Sequence, residues 1–393
     1  MLHRYFLFIR DTSGPGEDVS TARITAMLRQ IPLDVRPLRL IFFGPAGDNA
    51  AHEAHRSVVG RAVEAFYGAA APLYTYVAQP SLFGPLLMEV HAADASVPLQ
   101  HKQLAGIPYL TFEDDCGKQL FVGSICSADP SAPVDLQAAG CFAIAGDILK
   151  AEQMPVDSIV RQWNYIERIT ECDGDVQRYQ AFNDARSAFY GTAGWPDGYP
   201  AATGIGTRAG GIQIDLEAMV PHHPACRPVP IDNRMQTAAH AYSGKVLQNG
   251  GQPRRTTPKF ERAKLLWTNT DEAVLALSGT AAIRGEQSKG ALNARQQTEI
   301  TLEHILHLAG QAGEKGLISP ADGRYGLQML RVYVKHAADA GCVRETVEAQ
   351  CPGIPCIFVQ ADICREELLV EIEGWALFTT RSRPCGRAGA CQD

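Results

Sequence analysis

The sequence predicts an α+β protein of two similar halves, each a mixed β-sheet with helices packed on one face. Three observations predict it. An alternating acidic pattern occurs twice, in "GIQIDLEAMV" (Gly211 to Val220) and in "CREELLVEIEG" (Cys364 to Gly374). In the second, Val370 and Ile372 point to one face of a strand while Glu371 and Glu373 point to the other; Asp215 and Glu217 repeat the arrangement in the first. The segments before each pattern follow one another in the same order, and 393 residues suffice for two domain cores.

In the first half, "QLFVGSICSADP" reads as a strand and turn, and "DLQAAGCFAIAGDILKAEQM" as a helix. "DSIVRQWNYIERI" has apolar residues at helical spacing, and "DVQRYQAFNDARSAFYG" continues helix-like before "GYPAATGIGTRAGG" and the acidic strand. In the second half, "EAVLALSGTAAIRGEQS" is a strand ending in a Gly-rich turn, and "ARQQTEITLEHILHLAGQAG" is a helix stopped by Gly. "LQMLRVYVKHA" alternates as a strand, "CVRETVEAQCPG" is a short helix, and "PCIFVQADICREELLVEIEGWAL" reads as a hairpin. Proline density in "VPHHPACRPVP" (Val220 to Pro230) places the joint, giving domains over 1–225 and 226–380. Residues before about 115 form an extension of the first half. The polar tail 381–393 reads as disordered.

Bulk properties exclude several function classes. Apolar content of 46 % with 20 % charged residues is that of a globular protein. A net charge of −7 argues against a nucleic-acid partner, and no apolar run is long enough to span a membrane. The start, "MLHRYFLFIRDTSGPG", reads as a first strand rather than a secretory signal. Eleven irregularly spaced cysteines suit reduced thiols in the cytoplasm. No metal is expected: Cys351 and Cys356 in "CPGIPC" lack CxxC spacing, and the pairs His52/His55 and His304/His307 lack a third ligand, so they read as solvated helix surface. "GIGTRAGG" precedes a strand rather than a helix and fails the dinucleotide context; no cofactor is implied.

At this point two resemblances enter. "SGTAAIRG" and "PCIFVQADICREELLVEIEG" resemble the two marks of the RidA (YjgF-like) family, whose fold is also chorismate-mutase-like. The arginine that grips a keto-acid in that family is replaced here by Cys356 in the second half and by Ala202 or Thr203 in the first. The ordered set "QWNYIERI", "YQAFNDARSAFYG", "PAATGIG", "LRVYVK" and "LLVEIEG" resembles the chorismatases, chorismate pyruvate-hydrolases of bacterial secondary metabolism, from Phe121 to Leu377. The segment "AYSGKVLQNGGQPRRTTPKFERA" departs from the family's pattern.

The second resemblance implies two RidA-like domains acting on chorismate as a monomer or a trimer. Removing pyruvate from chorismate needs a proton delivered to the vinyl methylene carbon, hence a carboxyl group whose pKa is raised by burial or by a second acid. Glu371 suits this on its strand, and the resemblance assigns it the general acid. Glu373 then orients the site or contacts backbone amides, and Asp215 and Glu217 keep a structural role, because one active site needs only one acid. The substrate's two carboxylates call for cations. Arg186, with Tyr190 one turn on, and Arg331 are the candidates, and Arg255 is a third. Gly279 and Cys364 match the type that forms 3-hydroxybenzoate, Gly279 leaving room for the pyruvyl side chain; a subgroup yields 3- and 4-hydroxybenzoate together. The alternatives are an imine or enamine deaminase and a non-catalytic RidA-like binding protein.

Overall fold

A computed structural model describes residues 3–11, 19–243, 256–269, 271–289, 291–314, 317–318 and 326–380. Its plan is one motif used three times. Residues 4–94 form a sheet of their own, from β1 (Arg4–Arg10), β2 (Val35–Phe43), β3 (Leu73–Val77) and β4 (Leu87–Asp94), with α1 (Thr21–Leu28) and α2 (Asn49–Tyr67). Ser20 and Asp48 cap these helices, accepting from the amides of Arg23 and Ala51. The strand order is β1-β4-β2-β3, with only β2 and β3 parallel.

The middle sheet comprises β5 (Gln100–Leu104), β6 (Ile107–Glu113), β7 (Gly117–Cys126), β8 (Ile159–Glu167), β9 (Ala201–Thr207) and β10 (Ile212–Pro221). Helices α3 (Val134–Ala151) and α4 (Arg178–Tyr190) cross over between its strands. The order β7-β10-β8-β9 repeats the first sheet, and β6 and β5 extend it past β7. The third sheet comprises β11 (Val229–Ile231), β12 (Ala263–Trp267), β13 (Glu272–Ala281), β14 (Leu327–Val334), β15 (Cys356–Gln360) and β16 (Val370–Thr380), with α5 (Ala294–Glu314) and α6 (Ala340–Gln350). Its order β13-β16-β14-β15 is the same again.

The α+β class therefore stands, with helices on one face of each sheet, and the N-terminal extension is a third layer rather than an appendage of the first half. Each sheet buries one face under its own helices, in separate apolar clusters. The other faces of all three meet in a shared centre containing Phe6, Ile41, Trp163, Tyr165, Tyr333 and Trp375. There Phe6 stacks on Trp375 with ring centroids 4.7 Å apart.

Three local expectations are corrected. "DSIVRQWNYIERI" holds the strand β8 instead of a helix, and all nine strand residues are buried. With helices on one side and the shared centre on the other, both faces are covered, so no polar alternation marks it as a strand. "PCIFVQADICREELLVEIEGWAL" is not a hairpin: β15 and β16 flank β14 on opposite sides, one parallel and one antiparallel. His52 and His304 are buried rather than solvated, because both lie on the inner face of their helices; His52 Nε2 meets the Tyr76 carbonyl at 3.1 Å.

Candidate active site

The register of the three sheets sets up the site. Across from the acidic strands stand Ile41 and Arg39 in β2, Trp163 and Arg161 in β8, and Tyr333 and Arg331 in β14. Their partners are Glu89 and His91, Asp215 and Glu217, and Glu371 and Glu373 respectively. Each arginine then pairs with an acid of another sheet: Arg39 with Glu217 at 3.2 Å, Arg161 with Glu373 at 2.6 Å, and Arg331 with Glu89 at 2.7 Å. The three sheets are thus joined in a closed ring of buried ion pairs. Such pairs specify an arrangement more than they stabilise it, because desolvation offsets much of the attraction.

Between the middle and third sheets lies a cavity of about 790 Å³, counting the space at its open mouth. Glu371 is on its wall and is 4 % exposed. Burial, followed by the neighbouring Glu373 carboxylate, pushes its carboxyl up to about 8, against the smaller opposing pull of Arg262 and Arg161. Glu373 is held by a dense set of donors instead. It accepts from Arg161, Trp163, Thr203 and Tyr333, and it pairs with Arg331 at 2.6 Å.

Helix α4 presents Tyr179, Asn183 and Arg186 to the cavity, at positions one and two turns apart on one helix face. The Arg186 guanidinium is buried, donates to Asn183 Oδ1, and leaves its Nε without a partner. Arg262 and Arg365 also line the cavity. Arg262 Nη2 donates to Tyr242 Oη at 2.6 Å and to the Thr237 carbonyl at 2.9 Å; Arg365 Nη1 donates to Ser288 Oγ at 2.8 Å. Among the described residues, none of these three guanidiniums has a carboxylate partner within ion-pair distance. Cys364 faces the same space, its thiol pushed up to about 12 by burial and by Glu371, and so kept neutral. Tyr179 is held protonated in the same way, by burial and then by Cys364.

Of the residues singled out from sequence, the cavity gathers Glu371, Cys364, Gly279 and Arg186. It does not gather Arg331 or Tyr190. Arg331 is spent on Glu89 and Glu373, in the shared centre away from the cavity lining. Tyr190, the last residue of α4, points away from the cavity, its hydroxyl donating to Gln162 Oε1 at 2.6 Å and its ring 4.4 Å from Trp195. Arg255 falls outside the described residues. Sequence reasoning missed Arg262, Arg365, Asn183 and Tyr179. Two signals were available: Arg365 directly follows Cys364, and Tyr179 and Asn183 share the helical spacing of Arg186.

The other two inter-sheet regions are built differently. Beside Asp215, the cleft arginine Arg56 on α2 is answered by Glu53, Nε to Oε2 at 2.8 Å and Nη2 to Oε1 at 2.9 Å. Asp215 itself accepts from Thr75 Oγ1 and the Ser124 amide and is fully buried. Between the third and first sheets, the chain at Leu82 and Phe83 packs on Phe358, the Leu82 amide donating to the Phe358 carbonyl at 3.0 Å.

Comparison with known proteins agrees with this architecture. Residues 109–218 match the family model described as chorismatase FkbO/Hyg5-like, N-terminal. The chain is 32 % identical over 240 residues to a 3-hydroxybenzoate synthase of Streptomyces hygroscopicus, covering 57 % of this chain and 64 % of that protein. It is 31 % identical over 230 residues to a chorismatase of Streptomyces rapamycinicus, covering 55 % and 63 %. The chain thus spans less than two thirds of the length of these curated relatives. A chorismatase crystal structure superposes with a TM-score of 0.68 over 95 % of this chain and 98 % of that one, at 22 % identity.

Proposed function

We propose that the chain is a chorismatase of the FkbO/Hyg5-like kind, acting on chorismate and releasing hydroxybenzoate and pyruvate with Glu371 as general acid; the match of residues 109–218 to that family's N-terminal model and the likeness to curated chorismatases support the reading. The observation that carries this reading is the cavity's polarity. The Glu371 carboxyl faces the same space as three guanidiniums that, among the described residues, have no carboxylate partner. A substrate bearing two carboxylates supplies the missing anions, and each charge-assisted contact contributes about 1.5–3 kcal/mol.

The reacting end of chorismate is an enolpyruvyl ether. Glu371 gives its proton to the terminal methylene carbon, and positive charge develops at the ether-bearing carbon. A carboxyl that titrates near 8 still holds its proton at neutral pH, and it becomes a buried anion beside the developing cation as it reacts. The ring hydroxyl oxygen adds to the cationic carbon and gives its proton to the Glu371 carboxylate. Its bond to the ring then breaks as the C–H at the ether-bearing ring carbon is lost. The resulting hemiketal opens, the hydroxyl oxygen leaving as the pyruvate carbonyl and the ether oxygen staying on the aromatic ring, which takes up the released proton as 3-hydroxybenzoate. Hydroxybenzoate and pyruvate together contain every atom of chorismate, so the chain's task is to position the substrate and move protons.

Arg186 and Arg262 are assigned to the carboxylates, on opposite walls of the cavity, with Arg365 beside Cys364 as the third cation. Cys364 lies next to Glu371, where a neutral thiol is a weak donor and acceptor for the ring hydroxyl. This contact favours 3-hydroxybenzoate as product.

Incubating the purified chain with chorismate, measuring pyruvate enzymatically and separating the aromatic product by chromatography tests the reading. Equal amounts of pyruvate and 3-hydroxybenzoate are expected. Absence of pyruvate over a pH range of 5 to 9 refutes the activity, and a product other than hydroxybenzoate refutes the assigned outcome.

A further inference from the structure

The three acidic strands form an internal comparison. In the first sheet the position after next from Glu89 is His91, and Arg331 grips Glu89 directly, Nε to Oε2 at 2.9 Å and Nη2 to Oε1 at 2.7 Å. Burial alone would raise the Glu89 carboxyl, but Arg331 and His91 draw it down to about 2. In the middle sheet that position is Glu217, which collects Arg39 and Arg4, while Asp215, among the described residues, accepts hydrogen bonds from Thr75 and the Ser124 amide without a guanidinium donor and is raised by burial. In the third sheet it is Glu373, which collects Arg161 and Arg331. Glu371 receives no guanidinium hydrogen bond among the described residues. Where a second carboxylate is present the first acid is spared; where a histidine stands there, the arginine takes the first acid.

We propose that Glu373 is a positioning residue for the reaction, a decoy carboxylate that engages Arg161 and thereby keeps that guanidinium off Glu371, leaving the Glu371 carboxyl to face the cavity. Arg161 is 1 % exposed, and its Nε and Nη1 have no hydrogen-bond partner, so it has donors to spare for a nearer acid. Thr203 fixes the arrangement: its hydroxyl donates to Glu373, accepts from Arg161 Nη2 at 3.0 Å, and accepts from the Gly279 amide at 3.0 Å. The charged and titratable groups around Glu371 include Glu373 on its own strand, Tyr333 opposite it and Arg331 opposite Glu373 on β14, Arg161 from β8, Arg186 and Tyr179 from α4, Tyr242 and Arg262 ahead of β12, and Cys364 and Arg365 from the loop before β16. Of these, Glu373 supplies the neighbouring negative charge and Arg161 the cation it restrains.

The inference rests on the reading of Glu371 as the acid, and the test separates the two. Pyruvate release is measured against pH for the full-length parent, Glu373→Gln, and the double variant Glu373→Gln with Arg161→Gln. In parallel, the infrared band of the protonated Glu371 carboxyl, identified by its absence in Glu371→Gln, is titrated. In Glu373→Gln the alkaline loss of activity should move at least one pH unit lower, so turnover above the midpoint falls roughly tenfold and recovers on acidification. Removing Arg161 as well should move the midpoint back. A midpoint unmoved in Glu373→Gln, with turnover reduced evenly at every pH, overturns the proposal, as does a double variant titrating like the single one. If the parent releases no pyruvate, the activity reading fails, and the infrared midpoints of the same variants decide the decoy role alone. If Glu373→Gln does not fold, the double variant decides: a parent-like midpoint supports the decoy, and a midpoint one unit lower overturns it.

Discussion

The carboxyl group of Glu371 occupies the space that a β-carbon on Gly279 would fill. A β-carbon built there would overlap Glu371 Oε1 and lie 3.0 Å from its Cδ and from the Thr203 methyl. The glycine in the "SGTA" turn therefore makes room for the acid itself rather than for a substrate side chain. Gly279→Ala should lower pyruvate release by at least about tenfold, because overpacking of about 1–3 kcal/mol falls on the position of the reacting group. Rate measurements alongside thermal melting check this; a variant with the parent's kcat contradicts it.

The two sequence-derived arginines should behave in opposite ways. Arg186→Lys keeps the charge and loses the planar fork, so KM should rise about tenfold or more while melting temperature changes little. Arg331→Met leaves Glu89 and Glu373 without one of their cations, a loss of about 3–5 kcal/mol, so the melting temperature should fall sharply. Steady-state kinetics and calorimetry on both variants distinguish a ligand-facing cation from a structural one.

Cys364→Ala removes the thiol beside Glu371 without adding bulk. The ratio of aromatic products should shift while total pyruvate release stays within a few-fold of the parent. Chromatography of the products settles it, and an unchanged ratio ends the steering role for this residue.

The titration of Glu371 also carries a stability prediction. Its folded-state value of about 8 lies above the ordinary carboxyl value of 4.5. The native state thus keeps a proton that the unfolded chain releases. This contribution is full below about 4.5 and is lost progressively as pH rises to about 8. Glu371→Gln, which has nothing to ionise, should lose less stability than the parent between pH 5 and 8.5 in denaturant melts. Glu89 and Glu217, both drawn down to about 2, act with the opposite sign, and their stabilisation is lost as pH falls below the ordinary carboxyl range.

What the sequence made legible follows from periodicity and local pattern. Alternation in "LLVEIEG" placed Glu371 and Glu373 on one face, and the structure has both there, turned to the shared centre and buried. The first sheet was not recognised as a third copy because its acidic strand reads "LMEVHAAD": a histidine at position 91 breaks the acid, apolar, acid signature although the register is the same. β8 was hidden because burial on both faces removes the polar residues that make a strand visible. Arg331 was misplaced for a related reason. A buried arginine in a strand carries the same one-dimensional signal whether it faces a ligand or an acid brought from 242 residues away. Arg262 comes to the cavity through long-range packing that no local spacing encodes.

The central claim is that Glu371 gives up a proton to chorismate. Its most direct test is pyruvate release from chorismate by Glu371→Gln beside the parent and Asp215→Asn, all folded by circular dichroism. The account predicts that Glu371→Gln loses at least about a hundredfold in turnover, while Asp215→Asn stays near the parent. Turnover by Glu371→Gln within a few-fold of the parent would contradict it.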